Sequence, residues 1–426
     1  HAYQCASSED LWKSFEAVSD KPVTALMKSW IEQPGYPLIE VQKQEEELAL
    51  TQKRFTYLPH ESDQAWMIPI GIRLFFKDGT SRKVEVLMED RAVRIHAGSE
   101  LEAWKVNDGH TGFYHVDYLD KTNLDSLGKK IAQKALSPED RWGLQNDLYA
   151  LLQSSRASVS QFLIFLENYA NEDAFLPLSG IADNLFSAFI ILDDSGKNEI
   201  SGFGRKFFGN VLEKIGLDPA PEEPVSISVL REQLIWHAVV YGHKAIQNFA
   251  MEKFSRLVAG EIVHPDLQKS VFQVGALTKE KEAFLWMKER FHKSESEHER
   301  MNILAAFACF SSPHLIRDSL RFALDEVPSR NKFIPISSMG SNHYALPYLW
   351  KWYKDNIENL ENMHPLHYER VITGIVPTAG LKDPADVHGF FAEYLQQKNP
   401  AKDAIKLALE KLQINLQMRN SRSQQI

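Results

Sequence analysis

Pro34-Gly35-Tyr36-Pro37-Leu38-Ile39-Glu40-Val41 is the stretch at which the chain changes period. Upstream of it, Val23, Leu26, Met27, Trp30 and Ile31 recur at the spacing of one helical face. Asp20 reads as the cap of that helix and Pro22 as a first-turn residue, and Pro34-Gly35 ends it. An earlier helix is expected from Ser7 or Ser8 as cap, acidic Glu9 and Asp10 in the first turn, and Leu11, Trp12, Phe15 and Val18 behind them.

From Leu38 onward the alternation has a period of two. It recurs at Glu47-Leu48-Ala49-Leu50-Thr51, along Trp66 to Phe76, at Val84-Glu85-Val86-Leu87 and at Ala92-Val93-Arg94-Ile95. Lys77-Asp78-Gly79-Thr80 supplies a hairpin turn, because glycine tolerates the positive φ that tight connections need. Six to eight short strands ending near Tyr118 predict a small β-sandwich of about 80 residues.

After Asp120 the pattern is helical. Ser137-Pro138-Glu139-Asp140 carries a serine cap, a first-turn proline and acidic residues suited to a positive helix end. Helix pairs follow, for example Glu139 to Leu152 with Val159 to Tyr169, and Glu297 to Phe310 with His314 to Leu324. Pairs that each bury one face on the next predict an α-solenoid-like array without a strict repeat. Leu217 to Pro224 reads as a surface loop and Asn420 to Ile426 as a frayed polar end. The fold class expected is multidomain and mainly α. Residues 1–37 form a helical tail, 38–120 a β-sandwich and 121–426 a helical domain.

The composition fits these parts. Of 426 residues 44% are hydrophobic and 25% charged, and the net charge of −9 repels phosphate backbones, so nucleic acid is not an expected partner. No apolar run is long enough to cross a bilayer. Cys5 and Cys309 are far apart and in no metal or redox spacing. No Asn-x-Ser/Thr acceptor occurs, which points to a cytoplasmic protein. The chain opens at His1 with a helix almost at once, which reads as a segment cut from something longer.

Motifs that carry chemistry are missing or broken. A zincin site needs His-Glu-x-x-His on a helix, so that both imidazoles share one face. His298-Glu299-Arg300-Met301-Asn302 has asparagine at the second ligand position and reads as a solvated helix start, and His60-Glu61 is followed by Ser62, Asp63 and Gln64. His364 and His367 flank Pro365 and read as a helix-start pair. Gly202-Phe203-Gly204 lacks the strand and the third glycine of a phosphate loop. Trp350, Trp352 and Tyr353 beside Lys351 and Lys354 read as a packed aromatic face with lysines in solvent. No catalytic, cofactor-binding or metal-ligating residue is therefore assigned.

Several short motifs resemble the M1 family of zinc aminopeptidases. Ala6, Glu9-Asp10-Leu11-Trp12, Lys21-Pro22-Val23, Met27, Trp30 and Gly35-Tyr36-Pro37 resemble, in order, the end of its catalytic domain. Trp66-Met67-Ile68-Pro69-Ile70 is similar to its Trp-x-Ile-Pro strand, and Gly112 to Tyr118 to its Gly-Tyr-Tyr-Arg-Val-x-Tyr strand. Ser137-Pro138-Glu139-Asp140-Arg141 resembles the entry to its helical domain. Ser338 to Asn342, with Trp350, Asp355 and Asn356, resembles a late helix pair. Among subgroups the archaeal tricorn-interacting aminopeptidases are the nearest in compactness.

The resemblance implies the C-terminal, non-catalytic part of an enzyme that removes N-terminal residues from peptides. Zinc would belong to the parent enzyme, with its ligands outside this chain. The helical part would enclose the peptide, and a larger upstream protease would be a partner. This chain alone would be inactive. The alternative is a stand-alone helical scaffold that binds a peptide or protein and does no chemistry.

Overall fold

The structure is a computed structural model that describes residues 5–398 and 400–423. The chain divides into two compact units, one ending at Glu172 and the other starting at Asp173.

The first unit opens with α1 (Ser8–Ser19) and α2 (Val23–Ile31). Ser7 and Asp10 form a reciprocal capping box at the start of α1. Asp20, expected to start α2, instead ends α1 in the left-handed conformation (φ 52°), and Pro22 takes the N-cap position of α2. The reason is that a short polar side chain tolerates positive φ, so aspartate suits either end of a helix. Neither helix buries a residue. Their inner face is tied down by Trp30, whose indole N–H donates to the Met67 carbonyl (2.9 Å), and by Gln33, whose amide donates to the Ala65 carbonyl (2.8 Å).

Seven strands follow: β1 (Pro37–Gln44), β2 (Glu47–Arg54), β3 (Ile68–Phe76), β4 (Ser81–Met88), β5 (Ala92–His96), β6 (Leu101–Val106) and β7 (His115–Tyr118). They form two sheets, in the orders β5-β2-β1-β7 and β4-β3-β6. All pairs are antiparallel except β1 with β7. Alternation decides the buried faces: Ile39, Val41, Leu48, Leu50, Ile68, Ile72 and Leu74 are fully buried. The β3–β4 turn places Gly79 at φ 84°, as its sequence requires. Trp66, expected inside a strand, precedes β3, because its N–H and carbonyl go to the Gln52 side-chain amide rather than to a ladder (2.8 Å each).

Three helices complete this unit: α3 (Lys121–Ala132), α4 (Pro138–Gln153) and α5 (Val159–Leu166). The Ser-Pro-Glu-Asp-Arg run at the head of α4 acts as a junction. Ser137 caps the helix. Asp140 accepts from the Gly109 N–H (2.8 Å) and pairs with the buried ammonium of Lys105 (3.1 Å). Arg141 grips Glu172 with two nitrogens (2.6 and 2.8 Å), both side chains being buried. His115 of β7, at the arginine position of the strand pattern given above, meets buried Asp147 of α4 at 2.7 Å.

The second unit contains helices and no strand among its described residues. Its helices are α6 (Phe175–Ile191), α7 (Asp194–Ile215), α8 (Val225–Val240), α9 (Lys244–Val258), α10 (Gln268–Lys293), α11 (Glu297–Ala306), α12 (Pro313–Asp325), α13 (Phe333–Ser338), α14 (Leu346–Asp355), α15 (Ile357–Glu361), α16 (Pro365–Ala379), α17 (Pro384–Gln397) and α18 (Lys402–Ser423). The fold is thus multidomain and mainly α, as expected. Many helices pack on their sequence neighbours, and α18 also reaches back to α6.

Details of this unit depart from the sequence reading. Helix α11 stops at Ala306 rather than Phe310, because the Ala308 and Phe310 carbonyls go to the Asn342 amide (2.8 and 2.7 Å). The loop before α8 is clamped by fully buried Arg231, which holds the Glu223 carboxylate and the carbonyls of Ile215 and Gly216. The end expected to fray from Asn420 is helical through Ser423, and the rest of that segment lies outside the described residues.

Candidate functional site

A cavity of about 380 Å³ opens among α6, α8, α9 and α10 and the segments that follow α11 and α13. Its lining brings together Phe186, Trp236, Gln247, Thr278, Cys309 and His343. Behind Phe186 lies His237, stacked on it at 4.4 Å with the rings nearly parallel. Burial holds the His237 imidazole down to about 3 and, with the charge of Lys197, the His343 imidazole down to about 4. Burial pushes the Cys309 thiol up to about 12. All three are therefore uncharged at neutral pH, and a protonated thiol is a poor nucleophile.

One wall is strained. Within α10 the backbone of Glu280 sits at φ 45° and ψ −114°, a conformation costly for any residue with a Cβ. Its carboxylate accepts from the hydroxyls of Ser311 and Ser312, and Ser311 lines the cavity.

The residues weighed from sequence fall into structural roles. His298 and Asn302 satisfy each other across one helical turn (3.0 Å), and Glu299 is held by Arg290 and Ser294. His60 and Glu61 are exposed. His364 caps α16 through the Leu366 N–H, while His367 stacks on Phe333 at 4.5 Å. Gly202 and Gly204 lie inside α7, and Gly204 seats the Tyr241 ring so closely that a Cβ would stand 2.5 Å from it. The Trp350 indole and the Lys354 ammonium converge on the Asp386 carboxylate. Among the described residues no three His, Cys, Asp or Glu are grouped to hold a metal. The donor set does not fit zinc, since the histidine placed most like a zincin ligand faces an amide four residues on.

The family of ERAP1-like C-terminal domains matches residues 104–414. The chain belongs to that family. Aminopeptidases of the M1 type are similar over nearly the whole chain. Aminopeptidase M1 of Arabidopsis thaliana is 26% identical over 442 residues, covering 97% of this chain and 50% of that protein. Leucyl aminopeptidase of Saccharolobus solfataricus is 22% identical over 400 residues, covering 92% of this chain and 47% of that protein. Tricorn protease-interacting factor F2 of Thermoplasma volcanium is 34% identical over 234 residues, covering 54% of this chain and 27% of that protein. The chain spans about half the length of the first two relatives.

For an ERAP1-like C-terminal domain, the motifs that carried the resemblance turn out to be junctions. Tyr36 packs on Phe113 and His115 at 5.1 and 5.5 Å, and Trp30 on Trp66 at 6.2 Å. Of the cavity residues the sequence reading names Cys309, Ser341 and Asn342, none of them as part of a site. The lining residues come from helices far apart along the chain, and no spacing pattern links Phe186 to Gln247 or Cys309. The kink at Glu280 was equally silent, because no glycine or proline marks it.

Proposed function

We propose that this chain is the non-catalytic C-terminal part of a zinc-dependent aminopeptidase that removes N-terminal residues from peptides. The observation that carries the reading is the family match over residues 104–414, in a chain that spans half the length of its aminopeptidase relatives. On this reading residues 1–37 are the tail of the catalytic domain, 38–120 a sandwich that acts as spacer, and 121–426 the helical domain that encloses the peptide. Zinc and its ligands belong to the other half of the parent enzyme, and the protein works in the cytoplasm.

The outer face of α1 and α2 supports this reading. Leu11, Phe15 and Ile31 are each more than half exposed and Val18 is 90% exposed, and Phe113, beside Trp30, is 71% exposed. Apolar residues on one face of a helix need a partner surface. A catalytic domain seated there supplies it. The name of the Thermoplasma relative, a tricorn protease-interacting factor, supports a further partner, a larger protease whose peptide products the parent enzyme trims.

The test is an assay of the pure 426-residue chain against an aminoacyl p-nitroanilide with added zinc, beside a longer product of the same gene that includes the coding region upstream of His1. Activity only in the longer product, with His-Glu-x-x-His in the added segment, is the expected result. Zinc-dependent release of N-terminal residues by the 426-residue chain itself overturns the reading.

A further inference from the structure

The helical unit holds a second recess, of about 460 Å³, walled by the C-terminal end of α6, the first turn of α7, the start of α14, the end of α16 and the last turns of α18. Its polar lining is Lys197, His343, Thr378, Lys382, Arg419 and Asn420, and the remaining wall is apolar. Among the described residues no carboxylate lines it. Lys197 and Arg419 are half-buried and Lys382 is exposed, and none of the three forms an ion pair among the described residues.

This is an unusual furnishing. Half-buried cations normally face an acid, because taking a charge out of water without a partner is unfavourable. Asp194 and Asp193 act on Lys197 from the start of α7, and Asp193 is already engaged in capping that helix through the Gly196 N–H (2.8 Å). Burial and the neighbouring charge of Arg419 both lower the Lys197 ammonium, and burial, with the charge of Lys197, keeps His343 neutral. An anion in the recess would offset the charge part of these effects, the repulsion between Lys197 and Arg419 and that between Lys197 and His343. The guanidinium of Arg419 offers a planar fork of donors, neutral His343 offers one N–H, and the Asn420 amide offers two. Ile190, Leu346 and Leu416 provide apolar wall.

We propose that this recess binds a small organic anion, a carboxylate or phosphate head on a short apolar body, with Lys197, Lys382 and Arg419 neutralising the head. The inference does not rest on the aminopeptidase reading, since it concerns only side chains of the helical unit.

The experiment is titration calorimetry and thermal unfolding of the 426-residue chain with two probes, inorganic phosphate and valerate, against sodium chloride at matched ionic strength. Saturable binding is expected with Kd on the order of 1 mM, together with a rise in Tm that chloride does not reproduce. Arg419→Gln is expected to weaken binding about tenfold, the loss that follows from one charge-assisted hydrogen bond. Should that variant fold poorly, Lys382→Gln, on an exposed side chain, still weakens binding by about threefold. Phosphate binding assigns a phosphate head, and valerate binding without phosphate binding assigns a carboxylate. Binding of neither probe beyond chloride, or binding untouched by both variants, overturns the proposal.

Discussion

Gly340 and Gly374 bring two segments of the helical unit into backbone contact: a Cβ built on Gly340 would stand 1.9 Å from the Gly374 carbonyl oxygen. Across the same contact the Thr378 hydroxyl donates to the Gly340 carbonyl at 2.8 Å. Neither glycine is there for a positive φ; each is required by close approach. Gly340→Ala or Gly374→Ala must push α13 and α16 apart. Either is expected to destabilise the protein by about 1–3 kcal/mol, the usual cost of overpacking. Denaturant unfolding checks this, and a loss under about 0.5 kcal/mol in both variants refutes the contact.

The second prediction concerns Arg141 and Glu172. Each is about 4% exposed, and their two-pronged pair is completed by the Arg141 contact to the Leu136 carbonyl. Removing one partner leaves a buried charge without compensation, so Glu172→Ala is expected to cost about 3–5 kcal/mol. The double variant Arg141→Met with Glu172→Leu is expected to recover much of that loss, because no charge then remains buried. Thermal unfolding of the single and double variants separates the two effects. A single variant as stable as the parent chain would show that the pair is not buried as described.

Acid should weaken the helical unit in two stages. His237 has a folded value of about 3 against an ordinary 6.5, so the unfolded chain takes up the proton first. Its contribution is fully present above pH 6.5 and is lost as pH falls towards 3. Glu223, held down to about 2 by Arg231 against an ordinary 4.5, contributes above pH 4.5 and loses that contribution below it. Between pH 6.5 and 5 the histidine term therefore stands apart from Glu223. His237→Phe keeps the stacking on Phe186 without a titrating ring, and its Tm is expected to fall less steeply over that interval. Equal slopes in the variant and the parent chain would remove His237 from the account.

What could be read from sequence follows from how local each cause is. Leu38, Ile39 and Val41 announce β1 because alternation is a property of adjacent residues, and Ser137 with Pro138 announces α4 for the same reason. Strand β6 is harder, since Lys105 is fully buried within it and a charged residue reads as solvent-facing. Its burial depends on Asp140, which lies 35 positions along the chain. The end of α11 depends in the same way on Asn342, and the cavity near His343 on six segments at once. Absence of a complete zincin motif was legible because that motif is local, whereas the recess around Arg419 has no sequence signature at all.

The last prediction isolates the strain at Glu280. In an ordinary helix interior alanine is more stable than glycine by about 1 kcal/mol, because glycine loses more backbone entropy on folding. At φ 45° and ψ −114° the order should invert, since a Cβ is what makes that conformation unfavourable. Glu280→Ala and Glu280→Gly both remove the carboxylate that receives Ser311 and Ser312, so that loss cancels in the comparison. Glu280→Gly is expected to be the more stable of the two by about 1 kcal/mol or more. The difference in urea midpoint between the two variants reads it directly. Alanine as the more stable variant would mean that α10 runs through position 280 as a regular helix, and the wall of the cavity beside Ser311 would then have to be redrawn.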